Sequence, residues 1–247
     1  MFEISIIVLT YNCQEKITSH LTELIKRTVP YPNIEIIVKD GASVDGTIDQ
    51  ILKFTEQVTF VSKYDGGIYS GLNQAIERAS KEFIAICHVG DMLNIDSLME
   101  LANSTNNFGG YDIVCGATEV HYANSTKFFK ANKNLKALDH TMSLIHPSAI
   151  IRKKTLTELN GYNENFKISG DYDFFVRAKG LEKRFMICDV KISEIEYGGV
   201  STQLSSIMTL VKEYSLILQK KGIIKLFFIA KFILLNTISI SKGVLKN

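Results

Sequence analysis

The sequence predicts an α/β fold with a mostly parallel sheet and helices on both of its faces. Three observations carry that prediction. Short apolar, β-branched runs alternate with amphipathic segments from residue 4 to residue 87. Each run ends in a polar turn: Thr10-Tyr11-Asn12, Asp40-Gly41-Ala42-Ser43, Asp65-Gly66-Gly67 and Gly90-Asp91. The chain has 247 residues, 46% of them hydrophobic, so it can bury a sizeable core. Strands alternating with helices at this spacing form right-handed β-α-β units, and so a parallel sheet.

The elements follow in order. Residues 4–9 are nearly continuous and β-branched, as a strand buried on both faces must be. Residues 15–27 set Ile17, Leu21, Leu24 and Ile25 at helical spacing, and Pro30 and Pro32 end that helix. Residues 34–39 are the second strand. Residues 47–55 form a helix with Ile48, Ile51 and Leu52 on one face. Residues 58–62 are the third strand, 68–79 a helix and 83–87 the fourth strand. A helix is expected from about residue 96 to 102, then strand-like pieces at 112–115, 118–122 and 127–130. That second half reads as a mixed sheet.

No stretch of Gly, Ser or Pro long enough to be a linker divides the chain. Cys13, Cys87, Cys115 and Cys188 form no C-x-x-C pair, and most lie in or beside apolar runs. Free thiols in a reducing compartment are therefore expected. The first strand starts almost at the first residue, so no signal peptide is expected.

Charge is unevenly spread. Residues 205–247 carry seven lysines against one acid, Glu213; their net of +6 leaves −4 for the first 204 residues of a chain with net charge +2. Residues 222–235 read G-I-I-K-L-F-F-I-A-K-F-I-L-L. The apolar run falls short of the roughly twenty residues a membrane span needs. Lysines among Phe, Ile and Leu fit a helix lying in a membrane interface. A helix packed on the domain, or on a second subunit in a homodimer, is the other reading. Because the basic residues concentrate with aliphatic ones, no nucleic-acid partner is expected.

The turns carry the chemistry. Ligands of open α/β sheets bind at the carboxyl ends of the strands, which is where Asp40, Asp65 and Asp91 fall. The order T-Y-N, D-G-A-S-V-D-G-T, D-G-G-I-Y-S-G-L-N and Gly90-Asp91 resembles the family 2 glycosyltransferases of the GT-A fold, over roughly residues 3–200. Gly161-Tyr162-Asn163-Glu164-Asn165-Phe166 and Gly170-Asp171-Tyr172-Asp173-Phe174 resemble two further motifs of that family. The resemblance implies a Rossmann-like sheet, a mixed-sheet acceptor half and a C-terminal helical tail. Residues 1–204 would be the catalytic domain, with 1–91 holding the donor and 92–204 the acceptor; residues 205–247 would be the tail.

It also implies an inverting enzyme that moves a sugar from a nucleotide-diphospho-sugar, with a UDP-sugar favoured, to a hydroxyl of a glycan or lipid-linked glycan. Thr10, Tyr11, Asn12, Asp40, Asp65 and Gly90 would line the donor site. Asp91 would hold Mg²⁺ or Mn²⁺, and Asp171 would be the general base. Gly90 stands where the family usually has a further acid. One carboxylate still suffices when diphosphate oxygens and waters complete an octahedron. His146 is open between a metal or phosphate contact and plain packing. Asp45 reads as a turn residue, and Asp173 as a partner for Arg177 at i+4. A cytoplasmic protein, peripheral at the inner face of the membrane and serving surface polysaccharide synthesis, is the expected setting. A catalytically silent nucleotide-sugar-binding or scaffold protein is the alternative. A nicotinamide dehydrogenase is disfavoured because no G-x-G-x-x-G follows the first strand.

Overall fold

The computed structural model describes residues 2–219. Its first half comprises β1 (Ile4–Thr10), α1 (Gln14–Thr28), β2 (Ile34–Asp40), α2 (Thr47–Ile51), β3 (Thr59–Ser62), α3 (Ile68–Arg78) and β4 (Phe83–Ile86). The four strands are mutually parallel in the order β3-β2-β1-β4. Successive side chains of a strand face opposite ways, and here both faces are covered. Ile4, Ile6 and Val8 join Ile17, Leu21 and Leu24 of α1 in one core; Ile7, Ile37 and Ile84 join Leu72, Ala75 and Ile76 of α3 in the other. Burial of each such side chain is worth about 1.5–3 kcal/mol over exposure, so neither face could be left bare.

The second half adds β5 (Met92–Leu93), α4 (Ile95–Ser104), β6 (Ile113–Tyr122), β7 (Ser125–Phe129), β8 (Ala149–Arg152), α5 (Lys153–Glu158), α6 (Gly170–Gly180), β9 (Phe185–Glu196) and α7 (Ile207–Ile217). The sheet continues β4-β8-β6-β9-β5, with β7 paired to β6. β8 runs antiparallel to both β4 and β6, while β9 runs parallel to β6. The sheet is mixed, as expected. The two pieces expected at 112–115 and 118–122 are one strand with an irregularity at Gly116. A Cβ there would lie 2.5 Å from Ile192 Cγ1 and 2.6 Å from the Val190 carbonyl, so only glycine lets β9 cross so close.

That irregularity also hid β9 from the sequence. Its polar residues sit at 189, 191 and 193, then slip phase to 194 and 196, just past the point where the pairing skips from Ala117–Lys191 to Thr118–Ser193. A bulge breaks the period of two that marks a strand.

The expected boundary between domain and tail at 204/205 is corrected. α7 packs into the domain, with Leu210, Val211 and Glu213 buried, so the folded unit runs at least through Ile217. The basic aliphatic segment 222–235 lies outside the described residues. Among the described residues no helix is long and apolar enough to cross a membrane. All four cysteines are free thiols, with Cys87 and Cys115 buried.

Candidate active site

Parallel register sets Thr10 opposite Asp40, and Asp40 opposite Ser62, at the carboxyl edge of the sheet. There Asp40, expected at the donor site, is held from within the protein. Asp40 is fully buried, and both of its oxygens are taken. Oδ1 accepts from the Thr10 hydroxyl (3.0 Å) and from the Ser43 hydroxyl; Oδ2 accepts from Ser43 N (2.8 Å) and the Ser62 hydroxyl (2.9 Å). Asp40 organises the edge of the site through these four bonds. Thr10 is committed with it. Asn12, at φ +46°, accepts from Val44 N through its side chain, while its own N–H donates to Ser43 Oγ. It latches the two loops together. Tyr11 stays 65% exposed, its ring free to meet a nucleoside. Asp45 takes its turn role, accepting from Thr47 N at 2.9 Å.

Asp65, at the same edge, stays partly exposed. A residue the sequence reading missed, Lys39, holds it. The buried Lys39 ammonium donates to the Asp40 carbonyl (2.8 Å), the Lys63 carbonyl (2.6 Å) and Asp65 Oδ2 (2.8 Å). An ammonium has three donors, and a buried one left unpaired would cost several kcal/mol. Asp65 Oδ1 accepts from Gly67 N, and a Cβ at Gly71 would come within 2.8 Å of Oδ2. The signal was available: a lysine at the end of an otherwise apolar strand.

Gly90 and Asp91 follow β4, with Gly90 at φ +99°. A Cβ on Gly90 would lie 3.3 Å from Glu196 Oε2. Glu196, the last residue of β9, therefore brings its carboxylate to where an acid at position 90 would project. It is ion-paired to Lys16 at 2.8 Å. Asp91 is half-buried; desolvation drives its pKa up to about 7, opposed by the Glu196 backbone N–H and reinforced by the Glu196 charge. Such a carboxylate is short of a cation. Among the described residues no three His, Cys, Asp or Glu side chains converge to hold a metal by themselves. Asp91 beside Glu196 does fit a hard divalent cation that takes its remaining ligands from phosphate oxygens and water. With β9 unread, nothing in the sequence flagged Glu196.

Asp171 stands in the first turn of α6. Its Oδ1 accepts from Tyr172 N (2.8 Å) and lies 3.3 Å from the Tyr69 hydroxyl. Burial pushes its pKa up to about 6, and the hydrogen bonds oppose the rise. Asp173, two residues on, faces elsewhere: it pairs with Arg177 Nε at 2.7 Å, and that guanidinium also donates to the carbonyls of Leu159 and Gly161. Asn73 of α3 donates to the Tyr162 carbonyl and Glu164, and accepts from Tyr162 N. The motifs of the two halves are thus stitched around Asp171.

His146, left open by the sequence, is packed among aromatic side chains in this structure. The ring is buried edge-on against Tyr162 and Phe175, and Nε2 is 2.9 Å from the Tyr162 hydroxyl. Desolvation drives its pKa down to about 4, as it does for His88 beside it, so both stay neutral. Pro147 sits in the single 3₁₀ turn that carries the ring. A groove of about 440 Å³ opens next to this region, lined by Tyr122, Phe129, Asn132, Met142, Ser143 and Tyr197 among others. Tyr197 follows Glu196 and stacks on Tyr122 at 4.6 Å.

Solved structures share this architecture. Staphylococcus aureus TarS bound to UDP-GlcNAc superposes with a TM-score of 0.70 at 21% identity, covering 87% of this chain and 65% of that one. A mannosyltransferase of Pyrobaculum calidifontis, bound to GDP-Man and Mn²⁺, gives 0.64 at 17% identity over 89% of this chain and 65% of that one. The fold is that of the GT-A glycosyltransferases. Residues 5–178 match the family model described as glycosyl transferase family 2, and the chain belongs to that family. An uncharacterised glycosyltransferase of Mycoplasma pneumoniae is 33% identical over 118 residues, 45% of this chain and 39% of the relative. The S. aureus poly(ribitol-phosphate) β-N-acetylglucosaminyltransferase TarS is 31% identical over 106 residues, 41% of this chain and 18% of the relative. The chain thus spans well under half the length of these curated relatives.

Proposed function

We propose that the protein transfers one sugar from a nucleotide-diphospho-sugar, with a UDP-sugar favoured, to a hydroxyl of a glycan acceptor, inverting the anomeric carbon. The observation that carries this reading is Asp171: a half-buried carboxylate, poised near pH 6 and held at the junction of the two halves. A general base works best with a pKa near the operating pH. The UDP-GlcNAc and GDP-Man complexes of the structural neighbours support the donor class.

Tyr11 and Asp65 bind the nucleoside side of the donor. Asp91, with Glu196 beside it, would hold Mg²⁺ or Mn²⁺. When bound, that cation neutralises charge on the departing diphosphate. The acceptor lies in the groove by Tyr122 and Tyr197. Asp171 takes the proton of its hydroxyl as that oxygen bonds to C1, and the bond from C1 to the diphosphate breaks on the opposite face. A panel of UDP- and GDP-sugars, assayed for nucleoside diphosphate release with glycan acceptors, is expected to show release from a UDP-sugar. Binding with no release from any donor and acceptor pair would leave the silent-scaffold reading standing.

The basic aliphatic segment 222–235 supports a peripheral place at the inner membrane face, with a lipid-linked acceptor and a role in surface polysaccharide synthesis. Each buried methylene contributes about 0.8 kcal/mol and each lysine near an anionic surface about 1 kcal/mol. The protein is expected to float with anionic liposomes at low salt, and less at high salt, because only the lysine contribution is screened. Protein left at the bottom of the gradient would assign the segment to packing or dimerisation.

A further inference from the structure

One buried carboxylate has no part in the chemistry above. Glu213, on α7, is 5% exposed and accepts from three consecutive backbone N–H groups. Lys167 N donates to Oε1 at 2.7 Å; Ile168 N and Ser169 N donate to Oε2 at 3.1 and 2.8 Å. Successive N–H groups converging in this way form a concave anion nest, here filled by the chain's own side chain.

The nest sits immediately before Asp171. Ser169 is the residue before α6. The carbonyl of Ile168 accepts from the Tyr69 hydroxyl at 2.5 Å, the hydroxyl that also lies beside Asp171 Oδ1. On the other flank, the Tyr214 ring packs on the Tyr172 ring at 4.7 Å. α7 therefore grips the chain on both sides of Asp171. The family match ends at residue 178, so Glu213 and Tyr214, which supply this grip, lie beyond it.

We propose that Glu213 is the positioning residue for the base: by clamping 167–169 it fixes the first turn of α6, and with it the direction in which Asp171 faces the acceptor. The proposal rests on the reading of Asp171 as base. The charged and titratable groups around Asp171 are Tyr69 from α3, Tyr162 from the loop before α6, and Glu213 and Tyr214 from α7. Glu213 is the one carboxylate among those named. Its charge works to raise the Asp171 pKa, so its removal lowers the pH at which Asp171 ionises.

The test uses the full chain and two variants, Glu213→Gln and Glu213→Asp. The readouts are UDP affinity by calorimetry, UDP release from the UDP-sugar the wild type turns over, and an NMR titration of the Asp171 carboxyl carbon. Misplacing a catalytic group by about 1 Å costs up to about a hundredfold, so kcat is expected to fall about tenfold to a hundredfold in both variants with UDP affinity unchanged. The Asp171 titration should move to lower pH in Glu213→Gln and stay near the wild-type position in Glu213→Asp, which keeps the charge but withdraws it by one methylene. Wild-type kcat together with an unmoved titration in Glu213→Gln would overturn the proposal. Should Glu213→Gln fail to fold, wild-type kcat in Glu213→Asp would overturn it equally. Failure of the base reading looks different: Asp171→Asn would keep turnover while Glu213→Gln still shifted the carboxyl titration.

Discussion

Asp171→Asn is expected to lower turnover by about two to four decades, the scale of a lost general base, with UDP affinity unchanged. The amide keeps the volume and the hydrogen bond from Tyr172 N but cannot take the acceptor proton. The wild-type protein should also lose kcat/KM as pH falls through about 6, because desolvation raises the Asp171 pKa of the unliganded fold to that value and the protonated form is no base. The variant's residual rate should lack that acid limb. Near wild-type transfer by Asp171→Asn would move the base elsewhere. Asp173, two residues on, is already committed to Arg177.

The second large effect concerns Asp91. In Asp91→Asn the enhancement of UDP binding by Mn²⁺ or Mg²⁺ should vanish. Turnover should fall by on the order of a hundredfold or more, since one lost electrostatic contact to a developing anion is worth about 2.7–4 kcal/mol. Calorimetry decides it: equal UDP affinity with metal, with chelator and in the variant would remove the cation from the site. Glu196→Gln should give a smaller loss of the same kind, because its carboxylate shares its charge with Lys16.

The donor half was legible because its signals are local. β-branched runs, helical spacing and Asp-Gly turns fix each element within a few residues, and β1 to β4 stand where those signals put them. What a side chain does at the site depends on neighbours far along the chain. Asp40 looked like a ligand because it ends a strand. Only the register with Thr10 and Ser62 shows that its oxygens are spent inside the protein. His146 was open between ligand and packing, and only the fold sets its Nε2 against the Tyr162 hydroxyl. Glu213 was visible as the lone acid in a basic tail, yet nothing local ties it to residues 167–169.

β8 carries a consequence for anyone who would recombine this protein with a relative. Because it is wedged antiparallel between β4 and β6, the two halves of the chain are sewn into a single hydrogen-bonded fabric with no seam. Residues 1–91 alone, or joined to a half whose strand does not fit, would leave the backbone of Phe83–Ile86 unpaired along one side, an apolar edge of the kind that recruits other chains. An exchange of acceptor specificity would have to travel in the loops and hairpin around Tyr122 and Tyr197, leaving every strand with the partner it has.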